Sequence, residues 1–265
     1  MKLSILSILL FTLISMCAMN DVNSQKDFLT NKVIAHRGAW KKQNLPQNSI
    51  ASLREAIRLG CEGSEFDVWM TADSILVVNH DADFYGLPIE TSTYQELLQK
   101  KHPNGEQIPT VEAYLLEGMK QSRTKLIMEI KPSEVSGERG LSIAKKVVDM
   151  VHRLGAEEWV DYIGFDYNMC LEIIKIDPKA NVAYLEGDKS PKELADAGFF
   201  GLDYHHSLLR KRPEWIEEAH ELGLTVNAWT VNKVEEMEWL LSKRVRFITT
   251  DEPELLLEVI KKKKE

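Results

Sequence analysis

Cysteine is nearly missing from this chain. There are three in 265 residues, and one of them, Cys17, falls in an apolar leader. That excludes a fold stapled by disulfides and a zinc site built on thiolates. The remaining two, Cys61 and Cys170, are far apart and lie among apolar helical residues, so they read as buried free thiols. No segment carries a basic stripe and the formal net charge is -8, which leaves nucleic acid without a docking surface. A glycine-rich dinucleotide loop is also missing. Long apolar runs are confined to the start, where Lys2 precedes an uncharged stretch from Leu3 to Met19 that stops before Asp21. The short length, the flanks and the small-residue end predict a removable signal over residues 1–20, and export to the periplasm or the cell exterior. Cys17 stands where a lipidated cysteine would, but Met16 before it is too large for the usual processing signal. A free soluble form is expected over a lipid-anchored one.

The chain as a whole is of ordinary globular composition. It is 44% hydrophobic and 28% charged, enough apolar side chain for one large core. From residue 27 to 265, short β-rich runs alternate with amphipathic helical ones. Val33-Ile34-Ala35 is extended, and Ile50, Leu53 and Ile57 then recur at helical spacing up to Gly60, a helix stop. The pattern repeats from Leu126 to Ile130, with a helix through Ile143, Val147 and Val151 closed by Gly155, and continues to a last helix from Pro253 to Ile260. Repeated strand and helix of this length predicts parallel βαβ units. Glu65 to Met70 and Ile75 to Asn79 are joined by only four residues, too few for a parallel crossover, so they form an antiparallel hairpin or one long bent arm. Nine extended runs therefore predict an α/β TIM barrel of eight strands with one hairpin arm after the second. An open doubly wound sheet is the weaker alternative. Residues 82–110, punctuated by Pro88, Pro103, Gly105 and Pro109, break the rhythm and are expected as an insertion at the barrel mouth.

Three places carry chemistry. Glu65 and Asp67 are two apart in an extended run, so their carboxylates leave one face of the strand and can converge on a cation. Glu129 sits inside the apolar run Leu126-Ile127-Met128-Glu129-Ile130, where a carboxylate needs a partner. Lys131, on the same face, is one partner and would simply neutralise it. Three carboxylates without a cysteine or histidine cluster favour a hard ion such as magnesium or calcium. His36 and His80 each follow an apolar run and so belong at strand ends, where imidazoles suit proton transfer. Arg37 offers a planar fork for phosphate oxygens. His205 and His206 follow a later strand, and one of them is a candidate to reach a ligand. His102 falls in a polar loop, and His152 and His220 read as ordinary helix residues.

In sum, the chain resembles the glycerophosphodiester phosphodiesterases over nearly everything after the leader. The likeness rests on His36-Arg37-Gly38, Pro46-Gln47-Asn48-Ser49, Glu65-Phe66-Asp67-Val68, Asn79-His80-Asp81, Glu129-Ile130-Lys131, Trp229-Thr230-Val231-Asn232 and Thr250-Asp251-Glu252-Pro253, in this order. The resemblance implies a TIM barrel in which Glu65, Asp67 and Glu129 hold a divalent ion and His36 and His80 form the acid and base pair. It implies that Arg37 and Lys131 contact phosphate and that Trp229 packs against the glycerol. Tyr204, beside the two histidines of the Asp203-Tyr204-His205-His206 stretch, is expected at the substrate. One departure is Gln47, where the family has glutamate, which is expected to retune the metal site. The implied reaction is metal-dependent hydrolysis of a small glycerophosphodiester to glycerol 3-phosphate and an alcohol. Two alternatives are cleavage of lysophospholipids, with Phe84, Tyr85 and Leu87 as an apolar lip, and a non-catalytic lipid- or phosphate-binding module.

Overall fold

A computed structural model describes residues 27–263; the leader and Cys17 lie outside the described residues. The chain begins its core with β1 (Val33–Ala35), followed by α1 (Ile50–Leu59) and β2 (Gly63–Met70). Helix α1 starts where it does because Ser49 and Ser52 form a reciprocal capping box, and it stops at Gly60, which takes the left-handed conformation at φ 74°. Strand β2 turns back into β3 (Leu76–Val78), antiparallel to it with Val68 opposite Val78. The insertion then contributes a small hairpin, β4 (Asp83–Phe84) and β5 (Leu87–Pro88), and the one-turn helix α2 (Tyr94–Leu97).

From α3 (Val111–Gly118) onward the alternation is regular. The next elements are β6 (Lys125–Ile130), α4 (Gly137–Leu154), β7 (Val160–Gly164), α5 (Tyr167–Ile176), β8 (Val182–Tyr184) and α6 (Pro191–Asp196). The chain closes with β9 (Gly201–His205), α7 (His206–Lys211), α8 (Glu214–Glu221), β10 (Thr225–Trp229), α9 (Val234–Ser242), β11 (Phe247–Thr250) and α10 (Pro253–Lys262). Sequence periodicity anticipates α8 but not α7, which starts directly at the end of β9.

The strand order is β1-β11-β10-β9-β8-β7-β6-β2, and an added β1–β2 pairing closes the ring. Eight parallel strands therefore make a TIM barrel, with β3 as the expected hairpin arm outside it. Two cores follow from strand alternation. Outward residues such as Leu126, Met128 and Val226 pack under the helices, while Ile34, Ile127, Ile163, Leu185 and Phe247 fill the barrel. The insertion has its own small core of Trp69, Val77, Phe84, Ile89, Leu97 and Ile108, each buried side chain contributing about 1.5–3 kcal/mol. It is fastened to the barrel by buried Glu90, which accepts hydrogen bonds from Ser133 Oγ at 2.7 Å and Arg139 Nε at 2.9 Å. Cys61 and Cys170 are buried free thiols, as their apolar neighbours predict.

Candidate active site

The carboxylates come from two neighbouring strands whose register does the positioning. Strands β2 and β6 pair in parallel with Asp67 directly opposite Glu129, and Glu65 is one inward position below Asp67. One oxygen from each of Glu65, Asp67 and Glu129 lies within 4.8 Å of the others. All three are buried, at 1%, 0% and 8% exposure. Burial, then the charges of Asp67 and Glu129, push the Glu65 carboxyl well above its ordinary range. Burial and neighbouring Asp67 push Glu129 up to about 7. Asp67 goes the other way: burial opposes it, but the charges of Lys131, His80 and Arg37 hold it down.

Lys131 answers the neutralising role anticipated for it. Its Nζ hydrogen-bonds Glu129 and lies 2.7 Å from Asp67 Oδ1. One ammonium does not balance three carboxylates, and Glu65 Oε1 is buried with no hydrogen-bond partner. An all-oxygen donor set with an orphaned oxygen fits a hard divalent ion.

The motif that follows β1 is a tight turn folded onto these groups. Arg37 takes φ 57°, its N–H donates to Glu65 Oε2 at 2.7 Å, and its Nε stands 3.8 Å from Asp67 Oδ2. Gln47 Oε1 accepts from Arg37 Nη1 at 2.7 Å and orients the guanidinium. Asn48, also at positive φ, locks Asp67 from both sides, donating Nδ2 to Oδ2 at 2.7 Å and accepting the Asp67 N–H at 3.0 Å. His36 emerges from β1 with Nδ1 2.7 Å from Asp251 Oδ1. His80 follows β3, and its Nδ1 lies 2.7 Å from Asp81 Oδ1. Burial is the main cause that lowers the His80 pKa.

These side chains share one cavity of about 110 Å³, bordered by His36, Arg37, Glu65, His80, Glu129 and Lys131 together with Phe165, Leu185 and Trp229. Trp229 ends β10 with its indole Nε1 donating to the Asp203 carbonyl at 2.8 Å and its ring edge-on to Phe165. The residues expected at the site all border this cavity except Asp67, which joins Glu65 and Glu129 in the carboxylate cluster, and Tyr204. Its parity in β9 turns it outward, fully buried among Tyr184 and Trp215, with its hydroxyl donating to the Lys189 carbonyl at 2.6 Å. The inward neighbour Asp203 borders the cavity instead. His205 lies edge-on to Trp229 at 5.2 Å and His206 stands 3.7 Å from Glu236, and neither borders the cavity. His102 is also a correction: it is 6% exposed and packed edge-on to Phe84 within the insertion, not free in a polar loop.

Asp251 and Asn48 are the residues that motif reading left without roles. Asp251 Oδ2 accepts from Asn232 Nδ2 at 2.7 Å, so two residues in series, Asp251 and Asn232, support His36. Burial works against the Asp251 charge, but the His36 and Asn232 contacts outweigh it and hold its pKa below the usual carboxylate value.

The family model described as "Glycerophosphoryl diester phosphodiesterase family" matches residues 36–255. The glycerophosphodiester phosphodiesterase of Caldanaerobacter subterraneus subsp. tengcongensis is 30% identical, over 87% of this chain and 98% of that one. A second relative of the same name, from Bacillus altitudinis, is 26% identical over 86% of this chain and 97% of its own length. The crystal structure of a glycerophosphodiester phosphodiesterase from Parabacteroides distasonis is 44% identical, superimposes with a TM-score of 0.86, and covers 88% of this chain and 98% of that one. By the extent of the family match and these full-length likenesses, the chain belongs to the glycerophosphodiester phosphodiesterase family and is an enzyme of that class.

Proposed function

We propose that the protein hydrolyses small glycerophosphodiesters to glycerol 3-phosphate and an alcohol, using a divalent ion held by Glu65, Asp67 and Glu129 and proton transfer by His36 and His80. The observation that carries this reading is a cluster of three buried carboxylates, one with an unpartnered oxygen, two of which share a cavity with two imidazoles and two cationic side chains. When bound, magnesium or calcium supplies Lewis-acid polarisation of the phosphoryl group. Arg37 and Lys131 offset charge that builds on the phosphoryl oxygens. One imidazole takes the proton of the attacking hydroxyl and the other gives one to the departing alcohol, and Asp251 and Asp81 fix their Nδ1 atoms. Trp229, Phe165 and Leu185 offer apolar contact to the glycerol carbons.

The geometry weighs against both alternatives. A binding module has no use for two imidazoles held by carboxylates at a phosphate pocket. The lip that would receive an acyl chain is mostly absent, because Phe84 is 1% exposed and Leu87 packs against the insertion's own core.

The test is release of glycerol 3-phosphate from glycerophosphocholine by the purified protein, with magnesium, calcium or a chelator. Turnover is expected with metal and lost with chelator. His36→Ala and His80→Ala should each lose roughly 100-fold. No turnover with any metal, or full activity in Glu65→Ala and Asp67→Ala variants, overturns the reading.

A further inference from the structure

A second cavity opens beside the catalytic one, and no part of the hydrolytic site accounts for it. It is about 490 Å³ against 110 Å³, and Arg37 and His80 border both, so the two adjoin at the reacting groups. Its walls are the segment from Trp40 to Asn48 and the insertion from Asp81 to Asn104. Resting on the hydrolase reading above, we propose that this groove is the subsite for the departing alcohol and that it selects an alcohol bearing a cationic amine.

Charge in the groove favours a cation. The groove carries the carboxylates of Asp81 and Asp83 and one permanent cation, Arg37, which is engaged with Gln47 and turned toward Asp67. The neighbouring Lys41 is drawn away by Glu252 and does not border it. His102 and His80, the other titratable groups there, both have pKa values lowered by burial, which adds no positive charge near neutrality. A cationic ligand therefore meets net negative surroundings, whereas a second phosphate or carboxylate meets repulsion.

The way Tyr85 is held points to the same ligand. Phe84 pairs with Leu87, and the two residues between them both have positive φ, Tyr85 at 50° and Gly86 at 85°. This is a two-residue type I′ hairpin, whose first central position ordinarily goes to asparagine, aspartate or glycine. A bulky tyrosine there is strained, and such strain persists where the side chain has a use. Tyr85 is half exposed at the groove, braced by buried Phe84 at 4.8 Å and by its hydroxyl 3.1 Å from His102 Nδ1. Asp83 Oδ1 closes the same turn by accepting the Gly86 N–H at 2.7 Å. The hairpin thus presents an aromatic ring and a carboxylate side by side, and Trp40 adds a second ring to the lining. Aromatic faces with a nearby carboxylate are the chemistry that recognises an ammonium or a quaternary amine.

The experiment compares choline with its neutral carbon isostere, 3,3-dimethyl-1-butanol, by calorimetry, and glycerophosphocholine with glycerophosphoglycerol by kcat/KM. Choline should bind at least tenfold more tightly than the isostere. Asp83→Asn, which keeps an acceptor for the Gly86 N–H, and Tyr85→Gly, which removes the ring and relieves the turn, should each erase most of that difference. In both variants the kcat/KM ratio of the choline to the glycerol ester should fall about fivefold or more, through KM. Melting temperature should hold in the Tyr85→Gly variant, which separates ligand loss from unfolding. Equal binding of choline and the isostere, or variants that bind choline like the parent, overturns the proposal. Choline selectivity without hydrolysis of any diester would sink the hydrolase reading and leave the groove; hydrolysis without choline selectivity would do the reverse.

Discussion

His36 and Asp251, 215 residues apart, are held 2.7 Å from each other by the closure of the barrel between its first and last strands. Asp251 is itself fixed twice by Asn232, whose Nδ2 donates to Oδ2 and whose Oδ1 accepts the Asp251 N–H at 2.9 Å. The carboxylate therefore fixes the imidazole through Nδ1 and sets how the ring is presented at the cavity.

If that support matters, Asp251→Asn should lower kcat by about 10- to 100-fold with KM changed less than threefold. Steady-state kinetics between pH 5 and 9 measure both, and an unchanged kcat would remove Asp251 from the mechanism.

Much of this site could be read from residue spacing. The two-residue interval between Glu65 and Asp67, and an acid inside an apolar run at Glu129, are local signals that survive folding because strand parity is local. The hairpin arm was legible for the same reason: four residues cannot span a parallel crossover. Tyr204 was misplaced because strand position alone does not tell which parity faces inward. The register that pairs Asp203 with Asn227 supplies that, and it puts Tyr204 among the helices. Asp251 and Asn232 stood in quoted motifs without a role, since their contact with His36 exists only once the ring closes. His102 looked solvated because the insertion's small core is assembled from residues as distant as Trp69 and Ile108.

The metal cluster should titrate. Glu129 is raised from its ordinary 4.5 to about 7, by burial first and by Asp67 second. In metal-free protein a raised carboxyl favours the fold below pH 4.5, and that contribution is lost as pH climbs through about 7. A divalent ion needs the deprotonated carboxylate, so its stabilisation grows over the same interval. The rise in melting temperature caused by magnesium or calcium should be small at pH 6, increase through pH 7 and level off above pH 8. Glu129→Gln should abolish most of it. A shift of equal size at all these pH values would count against metal binding here.

Gly38 has a steric reason to be glycine. Its φ is 79°, and a Cβ there would lie 2.4 Å from Ser52 Oγ and 2.6 Å from the Ser52 carbonyl carbon. The left-handed backbone costs a side chain roughly 1–2 kcal/mol, and forcing a methyl into helix α1 adds about as much again. Gly38→Ala should therefore destabilise the protein by about 3 kcal/mol in urea unfolding. It should also disturb the adjoining Arg37 N–H to Glu65 bond, so activity should fall with stability. A loss under about 1 kcal/mol would mean that the turn relaxes freely.

Asp203 is a buried carboxyl inside the barrel. It is 1% exposed, it accepts from Asn227 Nδ2 at 2.7 Å through Oδ2, and its Oδ1 has no hydrogen-bond partner. Burial is the main cause that pushes its pKa from 3.8 up to about 8, opposed by the Asn227 contact and aided by the Glu129 charge. The sign then follows from linkage. The protonated form is favoured in the fold, so the contribution to stability is intact below pH 4, declines as pH rises, and is fully lost above about pH 8. Asp203→Asn keeps the shape and cannot ionise. Its stability relative to the parent should be unremarkable near pH 4 and should improve steadily to a gain of about 1–3 kcal/mol at pH 8, with no further gain at higher pH. Urea unfolding of both proteins at pH 4, 6, 8 and 9 reads this directly. Parallel stability curves across that range would show that Asp203 carries the same charge in the folded and unfolded chains.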